Sequence, residues 1–327
     1  MNILVTGGAG YLGSFASHRL IERGHHVVVY DNLSTGYKEF LHPKCKFVLG
    51  DIRDRELPGR VMKDNKIDLI MHFAAKTSVP ESMDNPLDYF ENNSFGTMNL
   101  LQNCLKAGVK KLIFSSTAAV YGDTRKDFVS ETDELRPINP YGESKVFDER
   151  MIWHVHAAQG ISAIILRYFN VAGASLDNQL GQKNPKANHL FHHLTETVLG
   201  RQTTMAVFGN DYPTVDGTGV RDFIHVEDIA HAHILAAEKL MGETSYLETF
   251  NCGYGQGFSV LQALKTMEDV SGKKIPYEIL NRRPGDPAKV LALADKIKTE
   301  LMWTPRYNDL KVICKTAFDW KNRPTPL

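Results

Sequence analysis

The first 31 residues constrain the fold more tightly than any other stretch of this chain. Residues 2–6 (Asn-Ile-Leu-Val-Thr) are a short, largely apolar run, followed by glycines at 7, 10 and 13. Residues 12–23 carry apolar groups at helical spacing and stop before Gly24, a residue suited to a helix end. Residues 26–30 (His-Val-Val-Val-Tyr) form a second apolar run that ends at Asp31. Strand, helix and strand within about 30 residues make a βαβ unit. Glycines at such a turn let the backbone bend sharply and let a pyrophosphate approach its amides. The helix N-terminus that follows favours negative charge. Asp31 stands 18 residues beyond Gly13. A carboxylate there accepts hydrogen bonds from a ribose 2′-hydroxyl and repels a 2′-phosphate, which predicts NAD rather than NADP. Taken singly, the glycines also fit a structural turn, and Asp31 a helix cap. It is the order strand, loop, helix, strand, carboxylate that favours a dinucleotide.

The alternation continues along the chain. Strands are expected at 46–49, 68–73, 111–116 and 162–167, and helices at 54–64, 86–107 and 141–158. Apolar strands between helices imply an α/β fold, a Rossmann-type doubly wound parallel sheet covered on both faces. After residue 170 the texture changes. Residues 173–188 and 209–220 are rich in Gly, Asn, Asp, Pro and Thr, and read as long loops of the kind that carry function. The expected organisation is an NAD-binding Rossmann domain over 1–170, to which 221–250 returns. A smaller C-terminal α/β substrate domain then fills 171–327.

Composition narrows the partners. The 327 residues hold 38 Lys+Arg and 38 Asp+Glu, so no global field attracts nucleic acid or an anionic membrane. Cys45, Cys104, Cys252 and Cys314 include no C-x-x-C pair, which argues against a zinc or redox site and for reduced thiols in the cytoplasm. The N-terminus lacks the basic and apolar regions of a signal peptide, and no apolar run approaches the roughly 18 residues of a membrane span. Among 13 histidines, His154/His156 and His231/His233 are two apart and do not share a helix face. His189 and His193 are four apart but no carboxylate-bearing metal motif surrounds them, so no metal is expected.

The second informative region begins where strand 111–116 runs into Ser115-Ser116-Thr117-Ala118-Ala119-Val120-Tyr121-Gly122. Tyr141 and Lys145 follow, four apart, just after Pro140, and so on one helix face. A nearby ammonium favours the phenolate and lowers a phenol's pKa, and bound NAD⁺ adds to this. A tyrosine so tuned is a general base near neutral pH. Thr117, at the strand end, can share the hydrogen bond to the reacting oxygen. A lone Y-x-x-x-K also occurs on ordinary surface helices. Its combination with the glycine loop and the Ser/Thr-ended strand points to catalysis.

Together these residues resemble the extended branch of the short-chain dehydrogenase/reductase superfamily. The segments HFAA (72–75), ENN (91–93), SSTAAVYGD (115–123), NPYGESK (139–145), LRYFNVAGA (166–174), FGNDYPTVDGTGVRDFIHVEDIA (208–230) and RRPGD (282–286) are similar to the UDP-glucose 4-epimerase family. The likeness spans essentially the whole chain. It implies that Gly7, Gly10, Tyr11, Leu12, Gly13, Asp31 and Asn32 hold the NAD, with Asp51 and Ile52 at adenine. Phe73, Ala74, Ala75, Asn92 and Ser115 line the cofactor, and Tyr168 stands on the nicotinamide side with Tyr141 and Lys145. It further implies that Thr117, Asn170, His189, Leu190, Val207, Phe208, Arg221, Arg283, Asp286 and Val290 hold a UDP-sugar. Arginine forks suit diphosphate oxygens, and Phe208 can pack on uracil. Each also has a plainer reading: Phe208 and Val290 as core, Arg221 and Arg283 as surface ion pairs. Three positions depart from the family. Thr117 replaces a common serine and keeps the hydroxyl. Thr77 stands where many members carry a phosphate-contacting lysine, while Lys76 is one place earlier. Pro80 replaces a frequent glycine and is expected to stiffen a loop.

The implied reaction is inversion at C4 of a UDP-hexose through a transient 4-ketose, with Tyr141 as base and then acid. The implied substrates are UDP-glucose and UDP-galactose. Val290, smaller than the aromatic residue found in members restricted to plain hexoses, extends the expected range to UDP-GlcNAc and UDP-GalNAc. If the alignment is off by one, Lys289 or Leu291 faces the sugar instead. Two rival functions remain: a sugar-nucleotide 4,6-dehydratase or decarboxylase, and a non-catalytic NAD-sensing protein. Dehydratases of this branch carry an Asp-Glu pair after the threonine, where this chain has Ala118-Ala119. Sensing proteins typically lose the tyrosine, which here is present. A homodimer is expected, with Leu87, Phe90, Met98, Leu101 and Leu105 of the 86–107 helix serving core or interface.

Overall fold

Seven parallel strands form the centre of the computed structural model, which describes residues 1–124, 126–283 and 286–323. They are β1 (Asn2–Thr6), β2 (His26–Asp31), β3 (Lys46–Leu49), β4 (Leu69–His72), β5 (Lys111–Thr117), β6 (Ser162–Tyr168) and β7 (Leu247–Cys252). Their order in space is β7-β6-β5-β4-β1-β2-β3. Alternate residues of β1 explain the two-sided covering. Ile3 and Val5 pack with Ala16 and Leu20 of helix Tyr11–Glu22, and with Ile229 and Leu240 of helix Val226–Met241. Leu4 faces the other way, into a core with Met62, Leu101 and Ile152 from helices Leu57–Asp64, Gly96–Ala107 and Pro140–Gln159. The strand order reverses at β1, which pairs with β2 on one side and β4 on the other. Ligands of such sheets bind beyond the strand ends at this switch point.

Strand β7 is not among the strands expected from sequence. It is the outermost strand, and its first three residues are half-buried, so Leu-Glu-Thr-Phe-Asn-Cys mixes polar and apolar residues. Two helix expectations need correction. The 54–64 helix starts only at Leu57, because Asp54 Oδ1 accepts the amides of Glu56 and Leu57 at 2.9 and 2.8 Å in a preceding turn. The 86–107 helix is interrupted. It runs from Pro86 to Tyr89, widens into a π-turn over Phe90–Phe95, and resumes as Gly96–Ala107. Within the wide turn, Asn93 Oδ1 accepts the Lys76 amide at 2.8 Å, and its Nδ2 donates to the Lys76 carbonyl at 3.0 Å. Pro80 also differs from expectation: it sits in the first turn of a short helix, Val79–Asp84, not in a loop.

A second sheet is organised around strand Val220–His225. This strand pairs with Asn170–Ala172, Gly257–Ser259 and Lys289–Ala292, and the last of these pairs with Phe128–Val129. Strands Met205–Phe208 and Tyr277–Leu280 form a separate pair. Helices Leu190–Val198, Val260–Ser271 and Leu310–Asn322 bury Leu194, Met267 and Ile313 against Met205 and Phe223. Helix Val226–Met241 and β7 return to the large sheet, whereas Val220–His225 belongs to the second. Among the described residues, no helix is long and apolar enough to cross a membrane.

Candidate active site

An elongated cavity of about 1200 Å³ begins at the glycine loop, passes Tyr141 and ends between the second sheet and its loops. At its start, Gly7 has φ +71° and donates to the Tyr30 carbonyl at 2.9 Å. A Cβ on Gly7 would sit 2.7 Å from the Ala74 amide nitrogen, and one on Gly13 would sit 2.2 Å from the Gly7 carbonyl oxygen. Neither position tolerates a side chain. The helix that follows is capped by Gly10 with no side-chain cap and no acidic residue in its first turn. Its amide end is therefore open to an anion on the cavity side.

Asp31 is 7% exposed on the cavity wall. One carboxylate oxygen accepts from the Ala9 amide at 3.0 Å, the other from the Leu33 amide at 2.7 Å. Burial raises its pKa while these amides oppose the shift, and each oxygen keeps acceptor capacity for a diol. Asn32 and Ile52 line the cavity, but Asp51 does not. The Asp51 carboxylate is held by the Arg53 guanidinium and by Asn32 Nδ2 at 2.9 Å, which keeps it well below the usual carboxylate range. Its side chain thus braces Asn32 instead of forming the wall. Tyr11, Leu12, Phe73, Ala74, Ala75 and Asn92 complete this part of the cavity. The Tyr11 hydroxyl donates to the Gly173 carbonyl at 2.6 Å, tying the glycine loop to the 173–188 segment. Lys76 and Thr77 both reach the wall, yet the Lys76 ammonium faces Asp88 at 3.2 Å and Glu81 at 3.7 Å.

The central section is built from β5 and helix Pro140–Gln159. Asn139 caps that helix, accepting the Gly142 amide at 2.8 Å, and Pro140 occupies the first position. Tyr141 and Lys145 then project toward the end of β5. Thr117 Oγ1 accepts the Ala119 amide at 3.1 Å. Burial pushes the Tyr141 phenol up to about 12, opposed by the neighbouring Thr117 hydroxyl. Lys145 makes no hydrogen bond to this phenol. Lys145 Nζ is turned to the Ser115 carbonyl at 2.9 Å and lies 4.5 Å from the centre of the Phe114 ring. Burial lowers the lysine pKa, and the charges of Asp148 and Glu149 oppose that shift.

Behind the wall runs a polar network whose connections sequence reasoning missed. The Tyr168 hydroxyl lies 2.7 Å from Ser115 Oγ and 2.6 Å from His233 Nε2. Glu149 and Arg167 form a buried ion pair at 2.6 Å. Ser116 donates to Glu149, and Arg167 Nη1 donates to the Tyr121 hydroxyl at 2.9 Å. Asn93 clamps the backbone at Lys76 as described. Of these, Glu149 and His233 lie outside the segments that the sequence resemblance had marked, while Ser115 and Tyr168 already carried cofactor roles there. The network's side-chain pairs meet across distances of 18 to 65 residues and leave no periodic signal.

At the far end Asn170, His189, Leu190, Phe208, Arg221, Arg283, Asp286 and Val290 line the cavity. Val207 does not: it is 1% exposed and packs into the core of the second sheet's helices, while its strand neighbours Ala206 and Phe208 face the cavity. The Arg283 guanidinium lies 4.2 Å from the centre of the Phe208 ring. Arg221 stands opposite Val290 in strand register. His189 Nδ1 accepts the His192 amide at 3.2 Å, and burial pushes the imidazole down to about 3. Pro284 and Gly285 of the RRPGD segment lie outside the described residues. Among the described residues no cluster of His, Cys, Asp or Glu suits a metal ion.

Comparison with known proteins was made with this geometry in hand. Residues 3–253 match the NAD dependent epimerase/dehydratase family. A UDP-glucose 4-epimerase of Azospirillum brasilense is 46% identical over 98% of this chain and 91% of its own length. The crystal structure of a UDP-glucose 4-epimerase from Stenotrophomonas maltophila with bound NAD and formylated UDP-arabinopyranose superposes with a TM-score of 0.95. It is 39% identical and the match covers 98% of each chain. A UDP-Glc/GlcNAc 4-epimerase of Campylobacter jejuni has a TM-score of 0.86 and 44% identity, again over 98% of each chain.

Proposed function

This chain belongs to the NAD dependent epimerase/dehydratase family and, within it, to the UDP-glucose 4-epimerases; we propose that it inverts C4 of UDP-hexoses with Tyr141 as the proton-transfer group. The observation that carries the proposal is that one cavity joins the glycine loop, Tyr141 and the paired Arg221 and Arg283. The uncapped amide end of helix Tyr11–Glu22 and the acceptor capacity of Asp31 fit a dinucleotide with a free ribose diol. Residues 1–170, with the segment returning after 225, hold this cofactor; the rest holds the UDP-sugar.

A bound NAD, held by the glycine loop and Asp31, would supply reversible hydride acceptance at C4 and would be regenerated in each turnover. Tyr141 takes the C4 hydroxyl proton and later gives it back, with Thr117 directing the hydroxyl toward it. Lys145 stabilises the phenolate form by its charge. Arg221 and Arg283 anchor the diphosphate and Phe208 the base, so binding energy remote from C4 retains the 4-ketose while the sugar turns. Ala118 and Ala119, beside Thr117, offer no acid or base for elimination. A panel of UDP-hexoses, UDP-N-acetylhexosamines and UDP-pentoses, supplied without added cofactor or electron acceptor, distinguishes the functions by product. C4 epimers support the proposal; dehydrated or decarboxylated products, or none, overturn it.

Val290 supports a range that includes UDP-GlcNAc and UDP-GalNAc. It is 7% exposed on the cavity wall beside Arg221, and takes less volume there than an aromatic ring. A homodimer is supported by the face bearing Leu87, Phe90 and Met98, which are 79, 38 and 37% exposed. Leu101, by contrast, is core, and Leu105 packs against it. Phe147 and Trp153 of helix Pro140–Gln159 are also more than half exposed. The four unpaired cysteines fit a reducing cytoplasm.

A further inference from the structure

Asp148 is an anomaly in the interior. It lies one helical turn beyond Lys145, on the same face, and the two are 0 and 3% exposed. Neither of its carboxylate oxygens has a hydrogen-bond partner. The polar groups near it are the hydroxyls of Ser94 and Thr97. Ser94 Oγ donates to the Ser144 carbonyl at 3.3 Å, and Thr97 Oγ1 lies 3.0 Å from His72 Nε2, so both hydroxyls are shared with other partners. A buried carboxylate with no donors beyond shared neutral hydroxyls either meets an opposite charge or gives up its own.

The charged and titratable groups that face this helix's buried side are committed to other partners. Glu149 holds Arg167, Asp88 faces Lys76, Glu91 faces Arg53, and Glu81 accepts from the Tyr89 hydroxyl. Tyr121 donates to Asn251. His72 is kept neutral by burial, down to about 3, between Thr6 and Thr97. Among the described residues Lys145 is, besides Arg167, the buried cation of these elements, and its one hydrogen bond is to a neutral carbonyl.

We propose that Asp148 is a positioning residue for the epimerase reaction: its carboxylate keeps Lys145 in the ammonium form that Tyr141 requires. This rests on the roles proposed above for Tyr141 and Lys145. Burial pushes the carboxyl up and the lysine down, and each charge opposes the other's shift. Removing the carboxylate leaves burial opposed by Glu149, which already holds Arg167, so the ammonium loses its proton at lower pH. The two groups titrate as a pair, and the alkaline limb of the rate profile reports that pair.

The test is the pH dependence of kcat/KM for UDP-galactose in the holoenzyme, the wild type beside Asp148→Asn, Asp148→Ser and Asp148→Glu. The first two move the alkaline limb down by about one pH unit, the direction and rough size expected when a nearby opposite charge is lost. Asp148→Glu recovers most of it. A purely structural role lowers the rate equally at every pH, and a limb that stays in place overturns the proposal. Lys145→Ala separates the two layers of argument. If it keeps the wild-type profile, the Lys145 reading itself fails; if it abolishes the limb while Asp148→Asn leaves it unmoved, only the Asp148 proposal fails. Independently of any variant, the Lys145 ¹⁵Nζ and Asp148 ¹³Cγ resonances of the wild type shift together with pH. Separate, uncoupled titrations contradict the pairing.

Discussion

The Tyr168 hydroxyl lies 2.6 Å from His233 Nε2, and the helix beyond sets the direction of that hydrogen bond. His233 Nδ1 is 2.9 Å from the Ile229 carbonyl, which can only accept, so Nδ1 carries the proton. Burial keeps the ring neutral, pushed down to about 4, and Nε2 is therefore an acceptor. Tyr168 must donate to it. The hydroxyl contact between Tyr168 and Ser115 then takes its proton from Ser115, which presents lone pairs to the cavity. The chain of donors points away from the reacting centre.

His233→Leu leaves the Tyr168 proton without its acceptor and frees it to turn toward Ser115. The expected cost is about 1–3 kcal/mol of stability, that of an orphaned buried donor, with a roughly tenfold fall in kcat (about 1.4 kcal/mol). His233→Gln, which still offers an acceptor, recovers part of both. Thermal unfolding and initial rates check this; a leucine variant with wild-type melting and kcat contradicts the network's role.

Asp31→Ala removes the carboxylate that repels a 2′-phosphate. The variant is expected to bind NAD more weakly and to narrow the preference for NAD over NADP at least tenfold, roughly the effect of 1.4 kcal/mol. Isothermal titration of cofactor-stripped protein measures both. Equal wild-type affinity for the two cofactors defeats the ribose argument.

These two positions differ in how readable they were. Gly7, Asp31, Tyr141 and Lys145 belong to short-range patterns, a βαβ unit and one helical turn, and local spacing is enough to expose them. His233 acquires meaning from Tyr168, brought to it by folding, and Asp148 from the burial that folding imposes on it and on Lys145 one turn earlier. Strand β7 and the π-turn at Phe90–Phe95 were obscured for related reasons. An edge strand mixes polar with apolar residues, and a wide turn leaves the helical composition of its segment unchanged. The Val207 assignment came from resemblance; the alternation of its strand puts that side chain in the core, between two cavity-facing neighbours.

Val290→Tyr places a ring in the wall beside Arg221. Close-packed surroundings do not yield cheaply to added volume, typically about 1–3 kcal/mol. Turnover of UDP-GlcNAc and UDP-GalNAc should fall at least tenfold while UDP-glucose and UDP-galactose are largely spared. Equal loss on both pairs, or a wild type inactive on UDP-GlcNAc, contradicts the assignment of Val290 to the sugar's C2 side.

Light scattering at micromolar concentration should give twice the 36.7 kDa chain mass. Leu87→Glu together with Trp153→Glu, at positions 79 and 56% exposed, should yield a folded monomer. A monomeric wild type contradicts the dimer, and a dimer unaffected by both substitutions places the interface elsewhere.

The central claim is that this chain inverts C4 of a UDP-hexose with Tyr141 moving the proton. Its most direct test is to incubate the holoenzyme with UDP-galactose, add no cofactor or electron acceptor, and follow UDP-glucose by chromatography for the wild type and Tyr141→Phe. The account predicts UDP-glucose as the product of the wild type and a rate about 10²–10⁴-fold lower for the variant, the usual worth of a positioned proton-transfer group. No UDP-glucose from the wild type, or a Tyr141→Phe rate above about a tenth of wild type, well outside that range, contradicts it.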